Sequence, residues 1–320
     1  MTAPQTTRTA KIAIVGAGAV GATVAYACLI RGAGKTIALY DLNAHKTRAE
    51  VLDLEHGLQF TPMASVIGAD DIKVCRDADV VVVTAGAKQK PGQTRLDLAE
   101  ANVAMCRALI PRLLEVAPDA ILLMVTNPVD VLTYAALKTS GLPGGRVFGS
   151  GTVLDSSRLR LLVAQHCDVA VQNVHAYIAG EHGDSEIPLW SNATIGAVPL
   201  LDWNVPGRPP LDEAARDAIQ ARVVGAAGEI IRGKGATNYA IGLATARIIE
   251  AILFDERQIL PVSSLLDGPA GISDVCLSLP SVVDRSGVGT VLPVPLSDAE
   301  ADGLRRSAET VRDVGRQLGL

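Results

Sequence analysis

Residues 180–186 read GEHGDSE, an imidazole between two glycines with Glu181 before it and Asp184 just after. A histidine in such a turn can be idle at the surface. It can also pass protons, because its charge changes near neutral pH. Proton transfer to a polarised oxygen needs company: a carboxylate to fix the tautomer, and cations to hold an anionic substrate. The chain offers both. In LDSSR (154–158), Asp155 and Arg158 are three apart and share a face if that segment is helical. GAKQKPGQTRLDL (86–98) reads as a loop broken by Gly, Pro and Gly, with Arg95 at its far end. In VTNPVD (125–130), Asn127 falls where an apolar run stops. Singly, each has an ordinary reading as a surface turn, a surface ion pair, a solvated loop or an Asn-Pro turn. Together they are the inventory for reducing a 2-oxo acid. A protonated His182 donates to the carbonyl oxygen and Asp155 stabilises the imidazolium. One arginine grips the carboxylate as a planar fork, and a second polarises the carbonyl.

Such a reduction needs a hydride donor, and the amino-terminal part carries a pattern for one. GAGAVG matches G-x-G-x-x-G at Gly16, Gly18 and Gly21. It follows a short apolar run, precedes a helix-like stretch, and is followed about twenty residues on by Asp41 at the end of the next apolar run. Gly16 permits the tight turn, Gly18 lets backbone approach a pyrophosphate, and Gly21 lets helix and sheet pack closely. A helix N-terminus there favours phosphate. Asp41 can accept from ribose hydroxyls and would repel a 2′-phosphate, which favours NAD over NADP.

The elements that must position these residues form an alternating pattern. Strand-like runs at 12–15, 36–43, 78–86 and 120–130 alternate with helix-like segments such as NAHKTRAEVLDLEHG, with Asn43 as candidate N-cap and Gly57 as candidate stop. This predicts an α/β fold with a doubly wound parallel sheet of Rossmann type, whose ligands sit at strand carboxyl ends. The texture changes near residue 150. A helical TVLDSSRLRLLVAQH, a strand-like VQNVHAYIAGEHGD running into a turn, and a helical stretch over 212–255 broken at GKGATN follow. VCLSLPSVV and a final amphipathic helix close the chain. The expected division is a nucleotide-binding domain over 10–149 and an α+β substrate domain over 150–320.

Composition sets limits. The 320 residues are 48% hydrophobic but only 3% aromatic, so the core is built from Ala, Val, Leu and Ile. A net charge of −5 argues against a general nucleic-acid or anionic-membrane surface. Five cysteines, spread singly, are expected as buried thiols in a reducing cytoplasm. MTAPQTTRT holds no hydrophobic stretch, so no secretory signal is expected, and no apolar run is long enough to span a bilayer.

The motifs GAGAVG, AGAKQKPGQTRLDL, VTNPVD, GSGTVLDSSRLR, VHAYIAGEHGDSEIPLW and KGATNY stand in an order and at spacings that resemble the L-lactate/L-malate dehydrogenase family, from about residue 10 onward. The likeness is to its bacterial L-lactate branch. The resemblance implies His182 as acid/base, Asp155 as its partner, Arg158 as carboxylate clamp and Arg95 as the mobile-loop arginine. It also implies Asn127 and Thr237 at the substrate. For NAD, it adds Val20, Lys46, Gly86, Ala87, Val125 and Asn127 to the three glycines and Asp41. It further implies the L stereochemistry and a homo-oligomer, a tetramer before a dimer.

Gln89 matches the position where malate dehydrogenases place an arginine for a second carboxylate. A neutral side chain there leaves that carboxylate without a counter-ion, at a cost of several kcal/mol in a closed pocket. Pyruvate/lactate is thus expected over oxaloacetate/malate. Arg160, two residues beyond Arg158, turns about 200° away from it on a helix, and His175 lies an odd number of residues before His182. In relatives activated by fructose 1,6-bisphosphate, the matching pair binds that effector across a subunit interface. Two other readings are a metal-dependent hydrolase using His175, His182 and Asp184, and a non-catalytic NAD-binding protein. The first leaves GAGAVG and Asp41 unexplained and has no recognised ligand spacing; no metal is expected. The second would need one of His182, Asp155 or Arg158 replaced.

Overall fold

The structure is a computed structural model and describes residues 10–87 and 94–320. Its centre is a nine-stranded sheet. Six strands are parallel: β1 (Lys11–Val15), β2 (Thr36–Tyr40), β3 (Ser65–Ala69), β4 (Val80–Val83), β5 (Ile121–Met124) and β6 (Val147–Gly149). β4 is four valines and β5 is ILLM, both fully buried. Strands covered on both faces read as continuous apolar runs rather than alternating ones. The spatial order is β3-β2-β1-β4-β5-β6, so the winding reverses between β1 and β4. That switch point is where such sheets leave a crevice for ligands.

Helices cover both faces. α1 (Ala19–Arg31) follows β1, α2 (Ala44–His56) follows β2, α3 (Arg95–Val116) follows β4 and α4 (Val129–Ser140) follows β5. Asn43 caps α2 by accepting from the Lys46 N–H, and Gly57 ends it, as the sequence predicts. Thr94 and Asp97 form a capping box that starts α3. One apolar cluster joins Val81, Val83, Leu122 and Met124 to α3 and α4; the other joins Ile12, Ile14, Val80 and Val82 to α1.

After β6 the chain enters α5 (Val153–Cys167). It then runs through five two-residue strands: β7 (Val174–His175), β8 (Ile178–Ala179), β9 (Ile187–Pro188), β10 (Thr194–Ile195) and β11 (Val198–Pro199). α6 (Glu213–Lys234) and α7 (Tyr239–Leu253) follow, separated where GKGATN predicts a break. β12 (Gln258–Asp267), β13 (Ser273–Asp284) and β14 (Gly287–Val291) are antiparallel and continue the main sheet beyond β6. The sequence reading found β13 but not its partners β12 and β14. The amphipathic α8 (Asp298–Gln317) closes the chain, and its Glu300 both caps the helix and accepts from the Ser191 N–H and hydroxyl. All five cysteines are buried and unpaired. Among the described residues, no helix is long and apolar enough to cross a membrane.

Candidate active site

The glycine turn leads straight from β1 into α1. Gly16 sits at φ +103°, a conformation L side chains rarely adopt. A Cβ on Gly21 would fall 1.9 Å from the Gly16 carbonyl oxygen, so helix and turn touch there. A Cβ on Gly18 would meet nothing within 4 Å. That open front faces the start of α1, whose cap makes no side-chain hydrogen bond. Unpaired N–H groups and room for an approaching group are what a pyrophosphate requires. Asp41, at the end of β2, accepts from the Ala17 N–H at 2.8 Å and the Asn43 N–H at 3.0 Å, so it stands on the lip of this turn. The residues present fit a dinucleotide. Val20 is half-buried in the first turn of α1, and Lys46 is half-buried in the first turn of α2.

The ends of β4 and β5 form the next wall. Gly86 and Ala87 are exposed there and Val125 is buried, followed by Asn127 and a cis Asn127–Pro128 bond. A residue that sequence reasoning missed ties these ends together. Asn102 of α3 is buried, accepts from the Ala87 N–H at 2.8 Å and donates to the Asn127 carbonyl at 2.9 Å. Only its burial inside a helix distinguishes it, and that is not visible in sequence. Gln89 lies outside the described residues, as does the side chain of Arg95, whose backbone opens α3.

The loop 180–186 is held from several sides. Gly180, at φ +90°, exchanges two backbone hydrogen bonds with Ser278 of β13. The Ser307 hydroxyl of α8 receives the Glu181 N–H at 2.8 Å, and Glu181 accepts from Ser185. Glu181 therefore staples the loop rather than serving His182. The His182 N–H is accepted by Asp130 at 2.8 Å, whose other oxygen accepts from Ser263. Asp130 is 2% exposed, and nothing in its local sequence marks it beyond its place in VTNPVD.

The imidazole meets α5. Asp155 lies 2.5 Å from His182 Nδ1 through one carboxylate oxygen, and 2.6 Å from an Arg158 guanidinium nitrogen through the other. The i,i+3 pair is thus a partly buried bridge, not a surface one, with Asp155 at 2% exposure. Burial works to lower the His182 pKa, but the Asp155 charge and hydrogen bond outweigh it and push it up to about 9. Burial works to raise that of Asp155, but the His182 and Arg158 charges hold it below the ordinary carboxylate range. Burial pushes Asp130 up to about 6 against its two hydrogen bonds.

Glu186 was also missed. It is 5% exposed, and a carboxylate oxygen comes within 4.8 Å of ligand-type atoms of both Asp155 and His182. Both oxygens of Asp155 are already engaged, by His182 and by Arg158, which marks a proton-transfer couple. Of the rival metal-ligand set, His175 is exposed on β7, where it pairs with Thr194 of β10.

Other expected residues spread outward. Thr237 is half-buried between α6 and α7, beside Asn238, which donates to Thr23 of α1. Arg160 turns away from the couple: its Nε donates to the Ala176 carbonyl at 2.8 Å and its guanidinium stacks over Tyr177. The sequence argument for His175 assumed one regular strand. The segment breaks between β7 and β8, which pair in different sheets, so the period-two argument does not carry from His175 to His182.

Residues 10–149 match the lactate/malate dehydrogenase NAD binding domain, and residues 152–317 match the lactate/malate dehydrogenase alpha/beta C-terminal domain. An L-lactate dehydrogenase of Bifidobacterium animalis subsp. lactis is 57% identical over 97% of this chain and 97% of its own length. L-lactate dehydrogenase B of Hordeum vulgare is 47% identical over 98% of this chain and 92% of its own. Among solved structures, a lactate dehydrogenase from a Medee basin deep-sea metagenome library superposes with a TM-score of 0.94 at 40% identity, covering 98% of this chain and all (100%) of that one. The minor L-lactate dehydrogenase of Enterococcus mundtii gives 0.93 at 38%, covering 97% and 98%. The chain belongs to the lactate/malate dehydrogenase family and carries that family's NAD-binding domain at residues 10–149.

Proposed function

We propose that the protein is an NAD-dependent L-lactate dehydrogenase that interconverts pyruvate and (S)-lactate, with His182 as acid/base. The observation that carries this reading is Asp155 engaging His182 Nδ1 and Arg158 with its two oxygens. With Nδ1 committed, Nε2 is the ring nitrogen that can give a proton to a substrate oxygen. Bound NADH supplies the hydride. His182, kept protonated by Asp155, gives its proton to the carbonyl oxygen and ends neutral; in lactate oxidation it takes that proton back. Arg158, oriented by Asp155, clamps the substrate carboxylate. Arg95 polarises the carbonyl, and Gln89 leaves no cation for a second carboxylate. Asn127 and Thr237 complete the pocket wall. Gly16, Gly18, Val20, Gly21, Asp41, Lys46, Gly86, Ala87 and Val125 hold the dinucleotide. In this reading the nucleotide domain spans 10–149 and the substrate domain 150–320. The test is NADH oxidation with pyruvate against oxaloacetate. Preference for oxaloacetate would make the protein a malate dehydrogenase; no turnover of either would end the reading.

The exposed His175 and the turned-away Arg160 support a finer reading, activation by fructose 1,6-bisphosphate in a homotetramer. Like charges meeting across an interface would repel until a bisphosphate neutralised them, shifting the quaternary equilibrium. Pyruvate saturation with and without the effector decides it, and an unchanged half-saturation point at neutral pH would sink it.

A further inference from the structure

Glu186 has no place in the mechanism above, yet its carboxylate lies within 4.8 Å of ligand-type atoms of both members of the proton-transfer couple. It is carried by the end of the 180–186 loop just before β9, and is almost fully buried. Its Oε1 has no hydrogen-bond partner among the described residues. An ionised carboxylate left so is costly, whereas a carboxylic acid is tolerated in the same place. We propose that Glu186 is a positioning residue that works in its protonated form: as an acid it leaves the site receptive to an anionic substrate, and as a carboxylate it closes the site to one.

The groups facing it define the electrostatics. From α5 come Asp155 and Arg158; from its own loop come His182 and Glu181. Asp130 of α4 accepts the His182 N–H and adds its charge. Burial, with the Asp155 charge next, pushes the Glu186 pKa up to about 8, and the cations His182 and Arg158 only partly offset this. With Glu186 protonated, the carboxylates of Asp155, Asp130 and Glu181 face the cations of His182 and Arg158. Ionising Glu186 adds a further carboxylate to that set without adding a cation. The incoming substrate is itself a carboxylate and must share Arg158 with Asp155. An extra anion within 4.8 Å of that couple opposes its binding. The same anion favours the protonated imidazole, so proton donation from His182 survives. The effect therefore falls on KM and not on kcat.

The inference rests on the proposed reading of His182 as acid/base. The experiment is steady-state pyruvate reduction from pH 6 to 9.5 in wild type and Glu186→Gln, with kcat and KM separated. In wild type, KM rises through pH 8 ahead of the loss of the His182 proton near 9. In Glu186→Gln the earlier rise is missing, so its KM at pH 9 is about three- to tenfold below wild type, a ratio that shrinks as pH falls through 8. Superimposable KM profiles overturn the proposal. So does a ratio that is the same at every pH, which would mean Glu186 is ionised throughout. A second measurement needs no variant. Oxamate, an unreactive isostere of pyruvate, is titrated into the wild-type NADH complex and followed by NADH fluorescence. If both Glu186 and His182 must hold protons, the log of affinity falls above pH 9 with a slope approaching about two; a slope of about one overturns the role of Glu186. Failure of the underlying reading looks different, because wild type would then reduce no pyruvate at any pH.

Discussion

The turn at residues 16–21 and the loop at residues 180–186 are both short, glycine-bearing segments at strand ends, but they are made to work by opposite means. In the first, the working parts are backbone N–H groups and empty space: Gly18 faces nothing within 4 Å, and the start of α1 is left without a side-chain cap. The charged contributor, Asp41, comes from the adjoining strand. In the second, the working parts are side chains brought from far away. Asp155 is 27 residues from His182, Asp130 is 52, and Ser307 is 126 from Glu181. The turn offers a receptive surface that the fold provides at little electrostatic cost. The loop concentrates buried charges that are tolerable only while each has its partner. Damage should therefore behave differently at the two ends. Substitutions in the turn cost cofactor affinity or fold stability; substitutions around the loop cost chemistry and move pH profiles.

The sharpest way to break this contrast is at His182. His182→Asn removes the proton donor while leaving the turn untouched. Pyruvate reduction should fall by about a thousandfold or more. The NADH dissociation constant, read by fluorescence titration, should stay within about threefold, since the nucleotide end is built separately. A large loss of NADH affinity in this variant would show that the two ends are one cooperative unit.

Asp155→Asn comes next, with a fall in kcat/KM of about a hundredfold. Its diagnostic feature is the pH profile. Reduction requires protonated His182, whose pKa the Asp155 carboxylate and hydrogen bond hold at about 9 against burial. The wild-type kcat for reduction should hold up to that pH and decline above it, while lactate oxidation, which needs the neutral ring, rises. Without the carboxylate, burial is less opposed, and the alkaline limit of reduction moves toward or below the ordinary histidine value of about 6.5. An unmoved limit would assign it to another group.

The turn supplies a paired test of about tenfold size. Gly18→Ala has room for its methyl group in the folded chain. It should melt like wild type while binding NADH about tenfold more weakly, because the methyl occupies the space a pyrophosphate needs. Gly21→Ala has no room, with its Cβ 1.9 Å from the Gly16 carbonyl oxygen. It should lose about 2 kcal/mol or more of stability, seen in denaturant unfolding. Equal stability losses in the two variants would contradict the division of labour between those glycines.

The same contrast explains what could be read from sequence. The nucleotide end was legible because its parts are contiguous or one strand apart, and each glycine has a local reason. The parallel strands were legible as apolar runs. β12 and β14 were not, because QILPVSSLLD neither alternates nor runs continuously apolar, being interrupted by a proline and two adjacent serines, and GVGTV is short and glycine-rich. His182, Asp155 and Arg158 could be named, but the first two stand 27 residues apart and spacing alone did not connect them. Asn102, Asp130 and Glu186 were missed for one physical reason: each is a polar residue whose role comes from burial and long-range hydrogen bonds, and its neighbours in sequence do not reveal either. Glu181 is the converse, adjacent to the histidine in sequence yet committed to Ser185.

Asp130 gives the smallest and most discriminating test. Its carboxylate accepts the His182 N–H with one oxygen and the Ser263 hydroxyl with the other. An asparagine can keep both bonds: its oxygen accepts the His182 N–H, and its amide donates to the Ser263 oxygen once that hydroxyl rotates. Shape is preserved and only the buried negative charge is lost. That charge helps keep His182 protonated, so Asp130→Asn should lower the alkaline limit of reduction by about one pH unit and reduce kcat by about twofold at pH 8. Below a pH of about 6 wild-type Asp130 takes up a proton itself, and the variant should converge with wild type there. Convergence at pH 5 means that Asp130 acts through its charge. An equal deficit at pH 5 and pH 8 means that it acts by holding the loop in place, and the electrostatic role assigned to Asp130 would have to be withdrawn.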